Sequence, residues 1–516
     1  MASHTSLFSS AFIHHNLYKD SVALMRVAQR LLAMPGVINA TLQMGNPANK
    51  DILQEAGLLI ADVKDAGPSD IMVVVQAKTQ AACDAAVAES LSDLAGKSSA
   101  SQDSTDANLA VPARTVGMGL TQLESANIVQ ISVPGMYAAA EALKAVKSGL
   151  NVFMFSDNVP LTQEIAIKQE ATKRNVLVMG PDCGTAIIGG VPLGFANNVR
   201  RGSIGIVAAS GTGLQEVTTQ IHRMGGGISH AIGTGGRDVY AEVGGVTMLQ
   251  GIALLAADPS TEVLAIVSKP PAPAVTDKVM AALLAAGKPA VVVFLGSDMK
   301  SPANHIHIVK TLVDCAAVAV KVSGVKKTTA QIYTMPRKPV FNKTQKYLRA
   351  LYSGGTYAAE AQILWTQSGL EVWSNVPINK AMALSNPLKE SIGHTALDLG
   401  DDDFTVGRPH PMIDQTVRID RLLKEAADPG VRVILLDVVI GWGAHTDPAS
   451  ELAQAILQAK KIAAKRNRNL GIIGFVCGTE TDPQVLATQE AILRSAGMVL
   501  TGNSANAAWL ASKWVE

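Results

Sequence analysis

The sequence predicts an α/β protein of several domains built mainly on parallel sheets, and three observations support this. Short apolar runs alternate with helical segments along most of the 516 residues, as in parallel sheets with right-handed crossovers. Turns rich in glycine close many of these runs. Two irregular segments, 95–106 and 322–346, interrupt the alternation and are predicted to be linkers. A chain of this length has room for about three or four domains.

The first predicted domain, residues 1–95, is a small α/β module. Its expected strands and helices lie at 6–13, 21–32, 37–44, 47–56, 71–75 and 80–94. This order fits a ferredoxin-like βαβ layer, and it also fits part of a doubly wound sheet. The pattern alone leaves both alternatives open.

The second predicted domain, residues 107–200, is Rossmann-like. Its strands end in turns, and ligands of such sheets bind beyond the carboxyl ends of the strands. The turn after the apolar run 176–179 contains Asp182, Cys183 and Gly184. These three residues are therefore candidates for binding a substrate or phosphate.

The remaining two domains, residues 201–322 and 347–516, repeat the same strand–turn–helix unit. Both are predicted to be flavodoxin-like, because their strands alternate with helices at nearly constant spacing. The basic, proline-containing segment between them is the second linker.

Composition excludes several classes of function. The net charge of +1 and the 4% of aromatic residues argue against a nucleic-acid partner. The four cysteines contain no C-x-x-C pair, so we expect no disulfide framework, no metal site and a reducing, cytoplasmic location. The N-terminus does not resemble a signal peptide, and no apolar run is long enough to span a membrane.

Residues 203–216 form a junction that is the first candidate for a functional site. A buried strand is expected to end in Ser210-Gly211-Thr212-Gly213, and a helix then begins. Thr212 and Gln215 have the spacing of a capping box. Free N–H groups and the helix dipole would favour a phosphate, a carboxylate or an acyl phosphate. The alternative is an ordinary turn between a strand and a helix.

Two further turns contribute candidate residues. Gly235, Gly236 and Arg237 combine free N–H groups with a guanidinium that can hold a carboxylate or phosphate through two hydrogen bonds. Arg237 is a candidate catalytic residue; the alternative is that it pairs with Glu242 on the surface. Lys269 precedes two prolines at the same expected sheet edge, where it either binds an anion or is simply solvated.

The polar segment 401–414 is the last candidate region. Its three consecutive aspartates, 401–403, suit either Mg²⁺ or the start of a helix. Arg408 is a candidate catalytic residue and phosphate ligand. His410, between two prolines, is a candidate acid/base or phosphate contact, with a purely structural histidine as the alternative.

Several of these motifs together resemble the FdrA family. The motifs that carry the resemblance lie at 155–159, 180–185, 209–213, 233–238, 268–271, 400–404 and 407–414. The resemblance implies a core similar to the α subunit of succinyl-CoA synthetase, with residues 107–200 as its CoA-binding-type domain. It also implies a C-terminal domain similar to the last domain of that enzyme's β subunit. In that enzyme, two helix N-termini face a phosphorylated histidine. The resemblance assigns these roles to the helix near Thr212 and the helix after Asp414.

The chain also departs from the synthetase pattern. A Gly-His-Ala-Gly loop is expected after Gly296, but residues 297–305 do not contain it, and no ATP-grasp module is evident. The FdrA resemblance instead implies carbamoyl transfer between a ureido acid of the oxalurate/oxamate type and phosphate, in allantoin catabolism. An ADP-forming acyl-CoA synthetase and a non-catalytic scaffold remain alternatives. CoA and carbamoyl phosphate are the implied ligands, and a homo-oligomer with partner subunits is the implied assembly.

Overall fold

The structure is a computed structural model that describes residues 7–17, 19, 21–46, 49–50, 53–54, 58–94, 113–325, 336–389, 391–405 and 408–515. The chain forms two compact units. The first contains residues 1–112 and 406–409, and the second contains residues 113–405 and 410–516. The predicted linker 95–106, residues 326–335 of the second linker, and residues 47–48, 51–52 and 55–56 of the predicted helix 47–56 lie outside the described residues.

The first unit contains a three-stranded antiparallel sheet with strand order β1-β3-β2. Its elements are β1 (Phe8–His14), α1 (Ser21–Leu32), β2 (Val37–Met44), β3 (Ile71–Ala77) and α2 (Gln80–Leu94). Leu31 of α1 and Cys83 of α2 pack against Val73 of β3 in one buried core. The antiparallel pairing of β1 with β3 decides between the two alternatives. The module is ferredoxin-like, because a doubly wound sheet would pair these strands in parallel.

The second unit begins with a small parallel sheet of order β4-β5-β6. Its elements are α3 (Val116–Gln122), β4 (Ile128–Ile131), α4 (Gly135–Lys147), β5 (Asn151–Met154), α5 (Leu161–Arg174) and β6 (Val178–Met179). Alanines of α4 pack closely on this sheet and form a separate core with Val152 and Val178. The arrangement agrees with the Rossmann-like prediction.

A seven-stranded sheet follows, with strand order β13-β12-β11-β9-β10-β7-β8. Its elements are β7 (Thr185–Ile188), β8 (Val191–Gly194), β9 (Arg201–Ala208), α6 (Gly211–Arg223), β10 (Ile228–Gly233), α7 (Val246–Ala257), β11 (Val263–Ser268), α8 (Pro273–Ala286), β12 (Ala290–Phe294), β13 (Ile306–Ile308) and α9 (Leu312–Val322). Strands β9 to β13 run parallel. The hairpin β7–β8 pairs antiparallel with β10 and thereby covers that strand's edge. Residues 185–194 thus belong to this sheet, although the predicted domain boundary falls after residue 200.

The third sheet of the unit has six parallel strands in the order β15-β16-β14-β17-β18-β19. Its elements are β14 (Tyr347–Tyr352), α10 (Gly355–Gln367), β15 (Val372–Trp373), β16 (His394–Asp398), α11 (Asp402–Thr405), α12 (Thr416–Ala427), β17 (Val431–Val439), α13 (Pro448–Ala464), β18 (Gly471–Cys477), α14 (Leu486–Ser495), β19 (Val499–Leu500) and α15 (Ser504–Val515).

The six-stranded and seven-stranded sheets share one hydrophobic core. Leu214 of α6, Ala316 of α9 and Tyr357 of α10 are buried in it together with residues of both sheets. Polar contacts reinforce the junction, since Arg223 donates hydrogen bonds to the carbonyls of Val476 and Gly478. The two predicted flavodoxin-like domains are therefore packed against each other through their helices.

Within the described part of the chain, no helix combines the length and the apolar character that crossing a membrane requires.

Candidate functional site

The first helix of the site, α6, begins where the sequence predicted. β9 is buried over its last five residues, and Ser210 follows in an extended conformation. The Ser210 hydroxyl accepts a hydrogen bond from the Gly213 amide at 2.9 Å. The cap is therefore Ser210 and not Thr212, because Thr212 already lies inside the helix. The amides of Gly211 and Thr212 point out of the first turn, where a helix offers no carbonyl partner.

The second helix, α10, begins after β14 with Gly354 as its cap residue and no side-chain capping bond. The preceding residue, Ser353, is held by a buried carboxylate. Asp437 accepts a hydrogen bond from the Ser353 amide at 2.9 Å and a second one from its hydroxyl. Arg418 of α12 lies 3.2 Å from Asp437 and neutralises its charge. A buried ion pair thus fixes the entry of the chain into α10.

The N-termini of α6 and α10 meet directly. The hydroxyl groups of Ser210 and Thr356 are hydrogen-bonded to each other across 146 residues of sequence. The approach is close, since a methyl group added to Gly354 would lie 2.3 Å from Thr212 Cγ2. The two positive dipole ends therefore face one place. This is the central feature of the site.

The resemblance assigned the second of these roles to the helix after Asp414, and the structure places α10 there instead. That other helix is α12, whose first amide, from Thr416, donates to the Asp414 side chain at 2.7 Å. The negative charge of Asp414 thus already occupies the N-terminus of α12. The contribution of α12 is the buried guanidinium of Arg418.

Two charged side chains lie beside the first turn of α10. A methyl group on Gly355 would be 2.7 Å from Asp398 Oδ2 and 3.0 Å from Lys269 Nζ. Asp398 ends β16 and is buried, with 8% of its surface exposed, whereas Lys269 follows β11 and is exposed. The predicted residue Lys269 therefore lies close to the two helix N-termini.

His410 belongs to the same region. Its ring packs on Phe195 with the centroids 5.4 Å apart, and the Phe195 carbonyl accepts a hydrogen bond from Thr185, which lies beside Gly211. Burial and the positive charge of Arg418 lower the pKa of His410 to about 4, so the imidazole is neutral at pH 7. Nδ1 accepts from the Met412 amide at 3.2 Å, which leaves Nε2 as the protonated nitrogen.

The loop containing Asp182, Cys183 and Gly184 connects the Rossmann-like sheet to β7. Burial raises the pKa of the Cys183 thiol to about 12, and the thiol donates weakly to the Thr185 carbonyl. Cys183 is therefore packed as an apolar side chain and is not a nucleophile at neutral pH. Desolvation raises the pKa of Asp182 to about 7, and the charge of Asp157 adds to this rise. Gly184 is linked to the site through Phe195, because the Phe195 amide donates a hydrogen bond to the Gly184 carbonyl at 2.8 Å.

The second predicted turn, with Gly235, Gly236 and Arg237, lies against that loop. A methyl group on Gly235 would be 2.1 Å from the Pro181 carbonyl oxygen, so only glycine fits there. Arg237 pairs with the buried Glu164 at 3.0 Å and donates to the Val159 carbonyl at 2.7 Å. The partner of Arg237 is thus Glu164 and not Glu242. A binding role for these three residues stays a prediction.

Arg408 is exposed and belongs to the short segment 406–409 of the first unit. Its role as a phosphate ligand stays a prediction. Of the three aspartates, Asp402 and Asp403 form the first turn of α11, as the helix-start alternative expected. Among the described residues, no group of three or more His, Cys, Asp and Glu side chains is arranged to hold a metal ion.

Thr356, Asp398 and Asp437 are not among the residues that the sequence predicts for the site. The Ser353-Gly354-Gly355-Thr356 turn carried a signal, because it repeats the serine, glycine and threonine composition of the Ser210 turn at the end of a buried strand. Asp398 and Asp437 interrupt apolar strands, and a charged residue in a buried strand needs a partner.

Three family models match the chain. A CoA-ligase model matches residues 351–514, a CoA-binding domain model matches residues 199–296, and a model described as "AllF, heavy metal-associated domain" matches residues 7–111. The CoA-binding match falls on the segment that we predicted as the first flavodoxin-like domain, and not on residues 107–200. The expected domain types are present, but the CoA-binding type lies one domain later in the chain.

The name of the N-terminal model implies a heavy metal, and the described residues of that unit do not fit one. Soft metals prefer thiolate ligands, and Cys83 is the only cysteine between residues 7 and 111. Its thiol is buried and donates to the carbonyls of Phe8 and Val75. His15 Nδ1 lies 3.2 Å from Asp70 Oδ2, with no third ligand in the described residues.

Relatives cover either the whole chain or a part of it. The protein YahF of Escherichia coli strain K12, named as uncharacterized, is 41% identical over 511 residues, which is 98% of each chain. The α subunit of an ADP-forming succinate–CoA ligase of Aquifex aeolicus is 31% identical over 28% of this chain and 48% of its own length. The sulfoacetate–CoA ligase subunit SauD of Bilophila wadsworthia is 26% identical over 28% of this chain and half of its own length.

These relatives and the CoA-ligase domain confirm the predicted enzyme class, an acyl-CoA ligase or acyl transferase subunit. The architecture is that of a protein similar to succinyl-CoA synthetase, with CoA-binding and CoA-ligase domains in one polypeptide. The full-length match to YahF, together with the three domain matches, shows that the chain belongs to the FdrA family.

Proposed function

We propose that this chain is the subunit of a transferase that handles an acyl phosphate between the N-termini of α6 and α10. The proposed reaction is carbamoyl transfer between a ureido acid of the oxalurate/oxamate type and phosphate, with partner subunits completing the enzyme. One observation carries the proposal, namely the hydrogen bond between Ser210 and Thr356 that brings the two helix N-termini together.

The geometry suits a phosphate for electrostatic reasons. Each helix N-terminus is equivalent to roughly half a positive charge and offers free amides in its first turn. Lys269 adds a full positive charge beside Gly355. Charge develops on the phosphate and on the attacked carbonyl during acyl transfer, and fixed donors stabilise that charge without having to reorganise.

In the proposed reaction a phosphate oxygen attacks the ureido carbonyl carbon. A carbon–oxygen bond forms, the carbon–nitrogen bond breaks, and the departing nitrogen takes up a proton. The products are carbamoyl phosphate and the amide of the remaining acid, oxamate in the case of oxalurate. This reaction needs neither ATP nor a phosphohistidine, in agreement with residues 297–305, which contain no Gly-His-Ala-Gly loop.

A second candidate is an ADP-forming acyl-CoA ligase. The similarity to two subunits named as ADP-forming CoA ligases favours it, as does the CoA-binding match at residues 199–296. His410, the histidine at the site, argues against it. Its Nδ1 is engaged and its Nε2 carries the proton, so the neutral ring does not present a free lone pair for phosphorylation.

The test is an assay of the complex that the full-length chain forms with its partner subunits. Oxalurate and phosphate are supplied, and carbamoyl phosphate is followed by phosphorus NMR. We expect wild-type turnover and a loss of about 10²–10³ in kcat for Thr356→Val, which removes a hydroxyl at the proposed phosphate site. Thr121→Val, at an exposed position in α3, is the matched control and should leave kcat unchanged.

Other outcomes identify the alternatives. Acyl-CoA formation that requires ATP, with acid-labile phosphohistidine and no carbamoyl phosphate, would establish the ligase. Binding of CoA or phosphate without either activity would indicate a scaffold. Arg408→Ala in the same assay tests the remaining predicted guanidinium, and full activity of that variant would remove Arg408 from the site.

A further inference from the structure

The carboxyl group of Asp398 occupies a distinctive position at the proposed phosphate site. Oδ1 accepts a hydrogen bond from the Gly400 amide at 2.9 Å. Oδ2 lies toward the first turn of α10, 2.7 Å from the position that a methyl group on Gly355 would take. The absence of a side chain at residue 355 is what leaves room for the carboxyl group and for Lys269 Nζ at the start of the helix.

Charged groups from several elements surround this carboxyl group. Lys269 approaches from the end of β11, Asp437 from β17 with its partner Arg418 of α12, and Asp401 from the loop after β16. His410 and Asp398 both lie beside Gly400. A methyl group on Gly400 would be 2.5 Å from His410 Nε2 and 3.3 Å from Asp398 Oδ1.

Asp398 and Asp437 differ in how many of their carboxylate oxygens are engaged by hydrogen bonds. Both oxygens of Asp437 are engaged by Ser353, and Arg418 pairs with it as well. Asp398 has one oxygen fixed by Gly400, while the other lies toward the helix N-terminus. Burial raises the pKa of Asp398 to about 7, opposed by Lys269 and by the Gly400 amide, and Asp401 and Asp437 add to the rise. Near pH 7 the acid and the carboxylate are thus both populated.

Resting on the function proposed above, we propose that Asp398 exchanges the proton with the departing nitrogen during carbamoyl transfer, while Lys269 holds the phosphate beside it. As the phosphate oxygen bonds to the carbonyl carbon, the electron pair of the carbon–nitrogen bond moves to nitrogen. The Asp398 hydroxyl gives its proton to that nitrogen and becomes a carboxylate. In the reverse direction the carboxylate takes the proton back.

The proton is needed because an amide anion is a poor leaving group, and a positioned acid contributes about 10²–10⁴ in rate. A structural role would be different, since Asp398 would then only anchor Lys269 through their opposite charges. The two roles differ in their pH dependence, because only a proton donor links turnover to the titration of Asp398.

The first measurement is the pH dependence of kcat for carbamoyl phosphate formation. Wild type should lose activity as the pH rises above about 7, because Asp398 then ionises. Asp398→Asn should be slower by about 10²–10⁴, and its kcat should not fall as the pH rises above about 7. Asp403→Asn, an exposed carboxylate in the neighbouring turn, is the control and should match wild type.

Lys269→Met provides a second variant that does not disturb a buried position. The positive charge of Lys269 lowers the pKa of Asp398. Removal of this charge should therefore shift the fall of kcat to higher pH. The inference would be overturned if the fall of kcat at high pH occurs at the same pH in Lys269→Met as in wild type. It would also be overturned if that fall persists in Asp398→Asn.

Calorimetry with sulfate tests Asp398 without any turnover, and sulfate does not itself titrate near pH 7. Bound sulfate should favour the neutral acid, so wild type should take up protons on binding and Asp398→Asn should not. Proton uptake without carbamoyl phosphate formation would support the location of Asp398 at the anion site but contradict the proposed reaction. Turnover with an unchanged pH profile in Asp398→Asn would retain the reaction and overturn the role of Asp398.

Discussion

The two helices that meet at the site begin in opposite ways. α6 is capped by its own serine, since the Ser210 hydroxyl accepts from the Gly213 amide. α10 has glycine at the corresponding position and no side-chain capping bond. The serine of its turn, Ser353, lies one residue earlier and is held by Asp437, which itself pairs with Arg418. One helix start is thus fixed locally, and the other is fixed by a buried ion pair.

The difference follows from the space that the site needs. A side chain at 354 would collide with Thr212, and a side chain at 355 would collide with Asp398 and Lys269. Glycine at both positions lets the helices approach and leaves room for the charged groups. Because glycine supplies no capping side chain, the fixed position of α10 depends on the residues behind it.

The largest expected effect is on the buried anchor of α10. Arg418→Met leaves Asp437 charged and buried without its partner, which should cost about 3–5 kcal/mol in the free energy of unfolding. Arg494→Met, which breaks the exposed pair with Glu490, is the control and should cost about 0–1 kcal/mol. Urea unfolding measures both, and equal losses would show that the Arg418 pair does not anchor α10.

The contact between the two helices should be the next most sensitive feature. Gly354→Ala places a methyl group 2.3 Å from Thr212 Cγ2, and overpacking of this kind costs about 1–3 kcal/mol. Gly119→Ala, where the added methyl group meets open space, is the control and should not destabilise the protein. If the collision is the cause, Thr212→Ala should recover part of the loss in the double variant.

The smallest effect on stability should come from the local cap of α6. Ser210→Ala should cost about 0.5–2 kcal/mol, the usual range for the loss of a capping side chain. Thr311→Ala removes a comparable cap at α9, where the Thr311 hydroxyl accepts from the Asp314 amide at 3.1 Å. The two variants should be destabilised equally, whereas only Ser210→Ala should weaken phosphate-dependent turnover. An equal loss of turnover in both would place Ser210 outside the proposed site.

The sequence predicts most of the fold, because periodicity and turn residues are local signals. The junction from β9 to α6 follows from a run of five apolar residues and a Ser-Gly-Thr-Gly turn. The hairpin β7–β8 was missed, since its pairing with β10 is a contact distant in sequence. The ferredoxin-like choice for the first module likewise required the direction of strand pairing, which neither composition nor spacing contains.

The site was predicted only in part for the same reason. The sequence points to Ser210 and Lys269 because they lie in turns at the ends of strands, and their binding roles stay predictions. Thr356 is hydrogen-bonded to Ser210 across 146 residues, and no local sequence pattern predicts that contact. Asp398 ends a strand in which a charged residue is equally consistent with a structural ion pair, and only its position beside Gly355 distinguishes it.

The central claim is that one anion lies between the first turns of α6 and α10. The most direct measurement is a crystal structure of the full-length chain with phosphate. We expect a phosphate whose oxygens lie about 2.7–3.2 Å from the backbone amides at Gly211–Thr212 and Gly355–Thr356. Phosphate bound at another place in the chain, with these amides free of it at saturation, would contradict the account.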